Sequence, residues 1–149
     1  MTIKLLCSLF AILLSPVFAL GQVKDIEKFS HLRVSRDLRE RLAERFNLFV
    51  EYERTGRYEQ QYDLLADEAR RNMQRNEYAD NKRMSERATG QLLELKIRGI
   101  GRKLNDGEWV RINVQVRLRL NSRTYSDYPT VVAYLRNGEW YFSMAYIDV

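Results

Sequence analysis

Residues 110–120 have the sequence VRINVQVRLRL, in which every second residue is apolar. The apolar side chains from Val110 to Leu120 alternate with polar and basic side chains from Arg111 to Arg119. This period of two is typical of a strand with one buried face and one solvated face. The stretch therefore predicts a long strand of an antiparallel sheet, whose apolar face must be covered by other elements.

A second strand is predicted just before it, where Leu93, Leu95 and Ile97 alternate with charged residues. Gly99 and Gly101 interrupt this alternation, and we interpret them as a β-bulge that lets a long sheet curl. A third Gly at the spacing of a dinucleotide-binding loop is missing, so phosphate binding by a glycine-rich loop is the weaker hypothesis.

Two more strands are predicted around Thr130–Arg136 and Glu139–Ile147. They are separated by Asn137-Gly138, the pair that favours a type I′ hairpin turn. Pro129 comes at the start of its strand, where the missing N–H is tolerated. The second half of the chain thus predicts four antiparallel strands.

Three helices are predicted before the strands. The first is capped by Ser35 and ends at Gly56, and the second carries an apolar face from Tyr58 to Met73. The third lies between Asn76 and Arg87 and has only a ragged apolar stripe. The apolar stripe of the first helix is Leu38, Leu42, Phe46, Phe49 and Val50. Helices followed by strands predict an α+β fold, with three N-terminal helices packed in a curved four-stranded antiparallel sheet.

The first residues are typical of a targeting segment. A basic start is followed by an apolar run and by Val17 and Ala19, small residues at the positions that signal peptidase requires. We expect a cleaved signal over 1–19, with cleavage after Gly21 as the alternative. An uncleaved anchor is a second hypothesis, although the run is shorter than the roughly 20 residues of a membrane span. Cleavage would leave no stable membrane span, and a bacterial periplasmic or secreted location follows.

The composition limits the chemistry. The 149 residues suit one domain, which we place at 35–149 behind a flexible segment over 20–34. A single Cys and a single His exclude a disulfide framework and a Cys/His zinc site, so we expect no metal and no cofactor. The formal net charge is +5, but no nucleic-acid recognition motif accompanies it.

The helix–Gly-aromatic–helix stretch from Phe46 to Leu65, the four strands and the closing Asn137-Gly138-Glu139-Trp140 resemble the nuclear transport factor 2-like superfamily. The resemblance implies a cone in which the curved sheet wraps three helices, with a pocket at its open end. It also implies a range of functions, from isomerases and dehydratases to exported binding domains, so the fold does not select among them.

Asp127 is the best catalytic candidate, because it lies beside Tyr125 and Tyr128 near apolar strand residues. The alternative for Asp127 is a surface position near a turn. His31 precedes the first helix, where a solvated side chain is the simpler expectation. No acidic residue falls on the predicted buried face of a strand, which favours a non-catalytic protein over an enzyme.

Aromatic residues are abundant, and some of them are candidates to line a pocket for a small apolar ligand. The alternative is that they belong to the core. Both faces of the last predicted strand are fairly apolar, which fits a homodimer contact or packing against the N-terminal segment. The pocket candidates are Tyr58, Tyr62, Tyr134, Trp140, Phe142 and Tyr146.

The polar face of the two long strands is rich in basic residues, which could bind an anion such as a lipid headgroup, an envelope polymer or an acidic partner protein. The alternative is a solvated sheet face that discourages aggregation. The residues are Lys96, Arg98, Arg111, Arg117 and Arg119.

The sequence therefore predicts an exported, non-catalytic binding or adaptor protein of the periplasm or cell envelope, with a small apolar ligand or an envelope protein as partner. A small cofactor-free isomerase- or dehydratase-like enzyme that uses a pocket tyrosine and Asp127 is one alternative. A membrane-anchored component of an envelope assembly is the other.

Overall fold

The computed structural model describes residues 26–101 and 109–145, in which helices come first and a sheet follows. The fold class is α+β, as the sequence predicts. The helices are a 3-10 helix at Ile26–Phe29, α1 Arg36–Thr55, α2 Tyr58–Tyr62, α3 Asp67–Arg70 and α4 Arg75–Thr89. The strands are β1 Gln91–Gly101, β2 Trp109–Leu120, β3 Arg123–Asp127, β4 Thr130–Arg136 and β5 Glu139–Ala145. None of the helices in the described ranges combines the length and the apolar character that a membrane span requires. The predicted signal segment lies outside these ranges.

In the described ranges the sheet has five antiparallel strands, in the order β1-β2-β4-β5 with β3 also paired to β2. The predicted number of four strands is wrong, because β3 was not predicted. β3 and β4 pair with successive stretches of β2. Pro129 lies between these two strands and has no N–H to donate. Its carbonyl accepts a hydrogen bond of 3.1 Å from the Val114 N–H, so the contact with β2 continues across the break.

The described residues before the sheet form four α-helices, whereas the sequence predicts three. The predicted second helix ends at Tyr62, a turn follows, and Leu65 forms an isolated parallel bridge with Phe142 of β5. The Ala66 N–H donates to the Phe142 carbonyl and the Phe142 N–H donates to the Leu64 carbonyl, both at 2.8 Å. These backbone groups are committed to the sheet, so the helix cannot continue through them.

The first helix is confirmed at both ends. The Ser35 hydroxyl accepts a hydrogen bond of 3.2 Å from the Leu38 N–H, and Gly56 adopts the left-handed conformation that ends α1. Phe46 on this helix packs edge-on against Phe142 of β5 and against Phe29. Phe29 is 1% exposed, so the described part of the N-terminal segment that we expected to be flexible contributes to the core.

The apolar face of β2 is buried under the helices, as predicted. Val110, Ile112, Val114 and Val116 are buried, whereas Leu118 and Leu120 at the end of the same face are only partly buried. In β1, however, the register shifts between Leu92 and Glu94 and again between Ile97 and Gly99. The second shift is the bulge that the sequence predicts. The first shift was not predicted. It places Leu92 on the buried face of the sheet.

The hairpin between β4 and β5 has the predicted turn. Asn137 has φ of 52° and Gly138 has φ of 79°, as a type I′ turn requires. The two turn residues lie between Arg136 and Glu139, which are paired across the strands.

The junction of α4 and β1 requires glycine for two reasons. Gly90 has φ of 99°, where a side chain is strained, and a Cβ atom there would lie 2.6 Å from the Arg119 carbonyl oxygen. The obstacle is backbone, so it cannot move aside as a flexible side chain would. Gly90 thus allows the end of α4 to approach the end of β2 closely.

We expect Gly90→Ala to destabilise the protein by about 2 kcal/mol or more, since strain and a backbone clash add. Gly138→Ala is the matched control, because Gly138 also has positive φ but a Cβ atom added there would meet no atom within 4 Å. Urea denaturation of both variants measures the difference. An equal loss of stability in the two variants would show that the close approach at Gly90 is not a constraint.

Candidate functional site

A cavity of about 330 Å³ lies between the helices and the sheet. Its floor follows the strand register, because residues opposite each other in an antiparallel pair point to the same face. Leu92 pairs with Leu118 and Leu95 pairs with Val116, so two apolar rows lie side by side. Tyr125 and Asp127 of β3 continue these rows, opposite Leu118 and Val116. Both β3 residues line the cavity together with Val131 and Met144.

Helices α1 and α4 form the other wall of the cavity. Phe49 and Val50 of α1 contribute apolar surface, whereas the contribution of α4 is largely polar. The polar and charged side chains that line the cavity are Glu53, Tyr58, Lys82, Ser85, Glu86, Thr89, Tyr125 and Asp127. The cavity is therefore mostly apolar along the sheet, apart from Tyr125 and Asp127 of β3, and mostly polar along α4.

An ion pair joins the two helices at the cavity wall. Lys82 Nζ lies 2.6 Å from Glu53 Oε1, and the two side chains are 18% and 22% exposed. This partial burial reduces screening by water, so the pair is better shielded than the ion pairs on the surface. The ammonium of Lys82 also lies 5.6 Å from the centre of the Tyr58 ring.

The side-chain amide of Gln61 orients Glu53 by a hydrogen bond. This side chain is fully buried, and its Nε2 donates to Glu53 Oε2 at 2.8 Å and to the Phe49 carbonyl at 3.1 Å. Its Oε1 accepts a hydrogen bond of 2.7 Å from the Tyr78 hydroxyl. Three helices are thus tied together by one amide, and the orientation of Glu53 is fixed by two partners.

Tyr58 is a protonated hydrogen-bond donor in the cavity wall. Its hydroxyl donates to Glu86 Oε2 at 2.7 Å. Burial raises the pKa of Tyr58 well above its usual range, and the hydrogen bond to Glu86 and the negative charge of Glu53 act in the same direction. The phenol therefore stays neutral at physiological pH, and it can donate a proton in a hydrogen bond but cannot serve as a base.

The β3 side of the rim is held by Tyr125, whose hydroxyl donates to the Thr89 carbonyl at the end of α4. Asp127 lies on the same strand and is exposed. Its Oδ1 accepts a hydrogen bond of 2.8 Å from the Tyr128 N–H, and within the described residues its carboxylate has no ion pair. Asp127 is thus the acidic group of the rim that is open to a ligand.

The six predicted pocket aromatics lie in different places. Tyr58 lines the cavity, whereas Trp140 and Phe142 are buried in the core. The indole N–H of Trp140 donates to the Leu38 carbonyl at 2.8 Å, and the Tyr62 hydroxyl donates to the Met73 carbonyl at 2.7 Å. These two side chains therefore serve packing between elements.

Tyr134 lies on the other face of the sheet, since it pairs with Trp109 and Tyr141 rather than with the buried residues. Tyr146 lies outside the described residues. His31, which the sequence placed in a solvated segment, is exposed.

The predicted basic face is partly neutralised. Lys96 and Arg117 both lie near Glu94, at 3.2 Å and 3.6 Å. Arg119 donates to the side-chain oxygen of Gln91 at 3.0 Å. Arg98 falls at the second bulge and has no register partner on β2, whereas Arg111 pairs with Gly101. The five residues thus do not form one uninterrupted row of free charges.

Four polar residues of the site were not predicted from the sequence: Glu53, Gln61, Lys82 and Glu86. A signal for the last two exists, because Tyr78, Lys82 and Glu86 follow each other at intervals of four on α4. The ragged apolar stripe predicted for the third helix consists of Tyr78, Met84 and Ala88, but Met84 is 59% exposed. Among the described residues, no three His, Cys, Asp or Glu side chains come together as a metal site.

No protein-family model matches the sequence, and a search of curated proteins finds no similar one. A solved structure is similar: the solution structure of a SEC-C motif-containing protein from Rhodopseudomonas palustris, with a TM-score of 0.54 and 15% sequence identity. The match covers 85% of this chain and 89% of that chain. At this identity the likeness establishes a shared fold and nothing about function.

This comparison corrects the resemblance to the nuclear transport factor 2-like superfamily, which is wrong. The similar structure is described as a SEC-C motif-containing protein, and no finding links the chain to the superfamily. The resemblance depended on the order of elements and on an Asn-Gly-Glu-Trp hairpin. Both follow from local turn chemistry and amphipathic patterning, which unrelated α+β proteins share.

The raised pKa of Tyr58 predicts a pH dependence of stability. The folded state holds this proton more tightly than the unfolded state, so the contribution to stability is complete below the unfolded pKa of about 10 and is lost as the pH rises beyond it. Tyr58→Phe removes this term, and its free energy of unfolding should fall less steeply than that of the wild type between pH 9 and about 11.

Denaturant titrations across this pH range measure the effect. Tyr134→Phe is the control, because it removes a phenol hydroxyl from the opposite face of the sheet. Parallel curves for the wild type and Tyr58→Phe would contradict the assignment of Tyr58 as a protonated donor in the cavity wall.

Proposed function

We propose that this protein is a non-catalytic binding protein that holds a small ligand with a hydrocarbon body and a polar head in the cavity. The observation that carries the proposal is the division of the cavity into an apolar floor on the sheet and a polar wall on the helices. A volume of about 330 Å³ falls within the range of small-molecule sites.

The apolar rows suit the body of such a ligand. Leu92 with Leu118 and Leu95 with Val116 offer a flat surface of aliphatic side chains, and Phe49 faces them from α1. Transfer of a hydrocarbon chain from water onto this surface contributes about 25 cal/mol per Å² of apolar area buried. Binding of the body therefore needs no specific polar partner.

The charges of the helical wall and of the β3 rim select the head group. Glu53, Glu86 and Asp127 are acidic, and the only base lining the cavity among the described residues is Lys82, which is paired with Glu53. A carboxylate or phosphate head would face uncompensated negative charge. An ammonium or hydroxyl head can instead donate hydrogen bonds to Asp127 and Glu86.

The cellular setting of this role is part of the proposal. The targeting pattern of 1–19 supports export, with the binding function exercised in the periplasm or cell envelope, alone or with an envelope partner protein. If the segment is retained instead of cleaved, the same domain would serve a membrane-anchored envelope assembly.

Filling the cavity should abolish binding. We expect Leu118→Trp to place an indole over the apolar rows, and Leu48→Trp is the matched control because Leu48 is 40% exposed on α1. Heptylamine and heptanoate are the probes, which have the same chain length and opposite head charges. Native mass spectrometry of the protein purified gently from its host detects any ligand that the protein retains.

Chemical-shift titration should show heptylamine bound more tightly than heptanoate by wild type and Leu48→Trp, and a loss of at least tenfold in affinity in Leu118→Trp. Equal affinity in Leu118→Trp and Leu48→Trp would place any binding elsewhere. Failure of both probes to bind the wild type, together with a bare chain in the mass spectrum, would overturn the proposal.

A small isomerase- or dehydratase-like enzyme is the second candidate, and one observation favours it: Asp127 and Tyr58 line the same cavity. Asp127 would accept a proton as the base, and Tyr58 would donate a hydrogen bond to the developing oxyanion. This role requires the Tyr58 hydroxyl to break its hydrogen bond to Glu86 and to donate to the substrate instead.

Asp127→Asn tests this candidate. It should lower any isomerase or dehydratase turnover by about two orders of magnitude or more while leaving the fold intact. Asp37→Asn is the control, because that carboxylate is 67% exposed at the start of α1. Turnover that survives in Asp127→Asn would exclude the acid–base mechanism.

A further inference from the structure

A second concave site lies beside the cavity, where the end of α4 meets the end of β2 and the start of β1. We call it the arginine groove. Its volume is about 420 Å³. The side chains that matter for its chemistry are those of Arg83, Glu86, Arg87, Gln91, Arg119 and Asn121.

The backbone brings two arginines of distant sequence position to this groove. Arg87 lies in the last turn of α4, and Arg119 lies near the end of β2. Gly90 has no side chain, and this absence lets the helix end approach the Arg119 carbonyl. The groove is therefore a consequence of the same close approach that constrains the junction of α4 and β1.

The charges of the groove are unevenly compensated. Arg83 has two carboxylate partners, Glu59 and Asp80, which hold its guanidinium. Arg87 is exposed and has no hydrogen bond or ion pair within the described part of the chain. Arg119 donates only to the neutral side-chain oxygen of Gln91 within the same residues, at 3.0 Å. Two guanidiniums thus face solvent with donors to spare.

Glu86 is the acid that lines the groove among the described residues, and the two guanidiniums of Arg87 and Arg119 outnumber its single negative charge. One carboxylate oxygen of Glu86 accepts the Tyr58 hydroxyl on the cavity side, at 2.7 Å. The side-chain amides of Gln91 and Asn121 add neutral donors at the rim. Planar guanidiniums offer paired N–H groups whose spacing fits the oxygens of a phosphate group, and weak hydration makes them suited to this contact.

We propose that the arginine groove binds a phosphate-type anion, held by Arg87 and Arg119. The shared chemistry is a phosphate group with at least two free oxygens. It can come from a soluble phosphate compound or from the headgroup of an anionic lipid. This site is independent of the ligand proposed for the cavity, which has the opposite charge preference.

The experiment uses two probes on the protein as purified from its host, at low ionic strength. Pyrophosphate is titrated and followed by backbone amide chemical shifts. Vesicles of phosphatidylglycerol and phosphatidylcholine in equal parts are compared with vesicles of phosphatidylcholine alone by co-sedimentation. Arg87→Ala and Arg119→Ala remove the proposed contacts, and both side chains are exposed, so the fold should be retained.

Arg36→Ala is the matched control. It removes one positive charge from a side chain that is 86% exposed at the start of α1. We expect each groove variant to weaken binding about tenfold and Arg36→Ala to change it less than twofold. Gln91 and Asn121 should show the largest shifts among backbone amides outside the two arginines.

The two arms distinguish the source of the phosphate. Groove-dependent binding of pyrophosphate without vesicle binding supports a soluble phosphate compound, and vesicle binding alone supports a lipid headgroup. Binding of both supports the shared chemistry. The proposal is overturned if neither probe binds, or if Arg36→Ala weakens binding as much as Arg87→Ala, because net charge alone would then explain the effect.

Discussion

The apolar face of β2 is the constraint on which the rest of the structure depends. Val110, Ile112, Val114 and Val116 form a continuous strip that would cost free energy if it were exposed to water. The neighbouring strands extend this strip sideways, and α1 covers it with Phe46 and Phe49. Helices α1, α2 and α4 each bury side chains, whereas α3 buries none. Helices as short as α2 and α3 are not stable in isolation, so they depend on the rest of the fold.

Polar groups in this interface are tolerated because they are satisfied. Gln61 is fully buried, yet each of its polar atoms has a partner, and no buried side-chain polar atom in the described ranges lacks one. A buried amide left unpaired would cost about 1–3 kcal/mol. The network through Glu53 and Lys82 therefore holds α1, α2 and α4 in one arrangement, and that arrangement determines the shape of the cavity wall.

The cavity and the arginine groove lie on two sides of the same turn of α4. Glu86 lines both, and Gly90 is the residue at which the helix gives way to β1. The two concave sites differ in charge because Glu53 and Asp127 line the cavity while Arg87 and Arg119 line the groove. A helical period of 3.6 residues separates neighbouring residues by about 100°, so one turn can supply both surfaces.

The sequence by itself determined the α+β class, the ends of α1, the buried face of β2 and the type I′ hairpin. Each of these depends on local chemistry: a capping hydroxyl, a period of two, or a pair of residues that tolerates positive φ. Tertiary structure alone decided the split of the second helix, the extra strand β3, the first bulge of β1 and the clustering of Glu53, Lys82 and Glu86. These features arise because backbone and charged groups find partners that are distant in sequence, as Leu64 and Ala66 do with Phe142. A local pattern contains no information about such partners, since their free energy exists only after the sheet has brought them together.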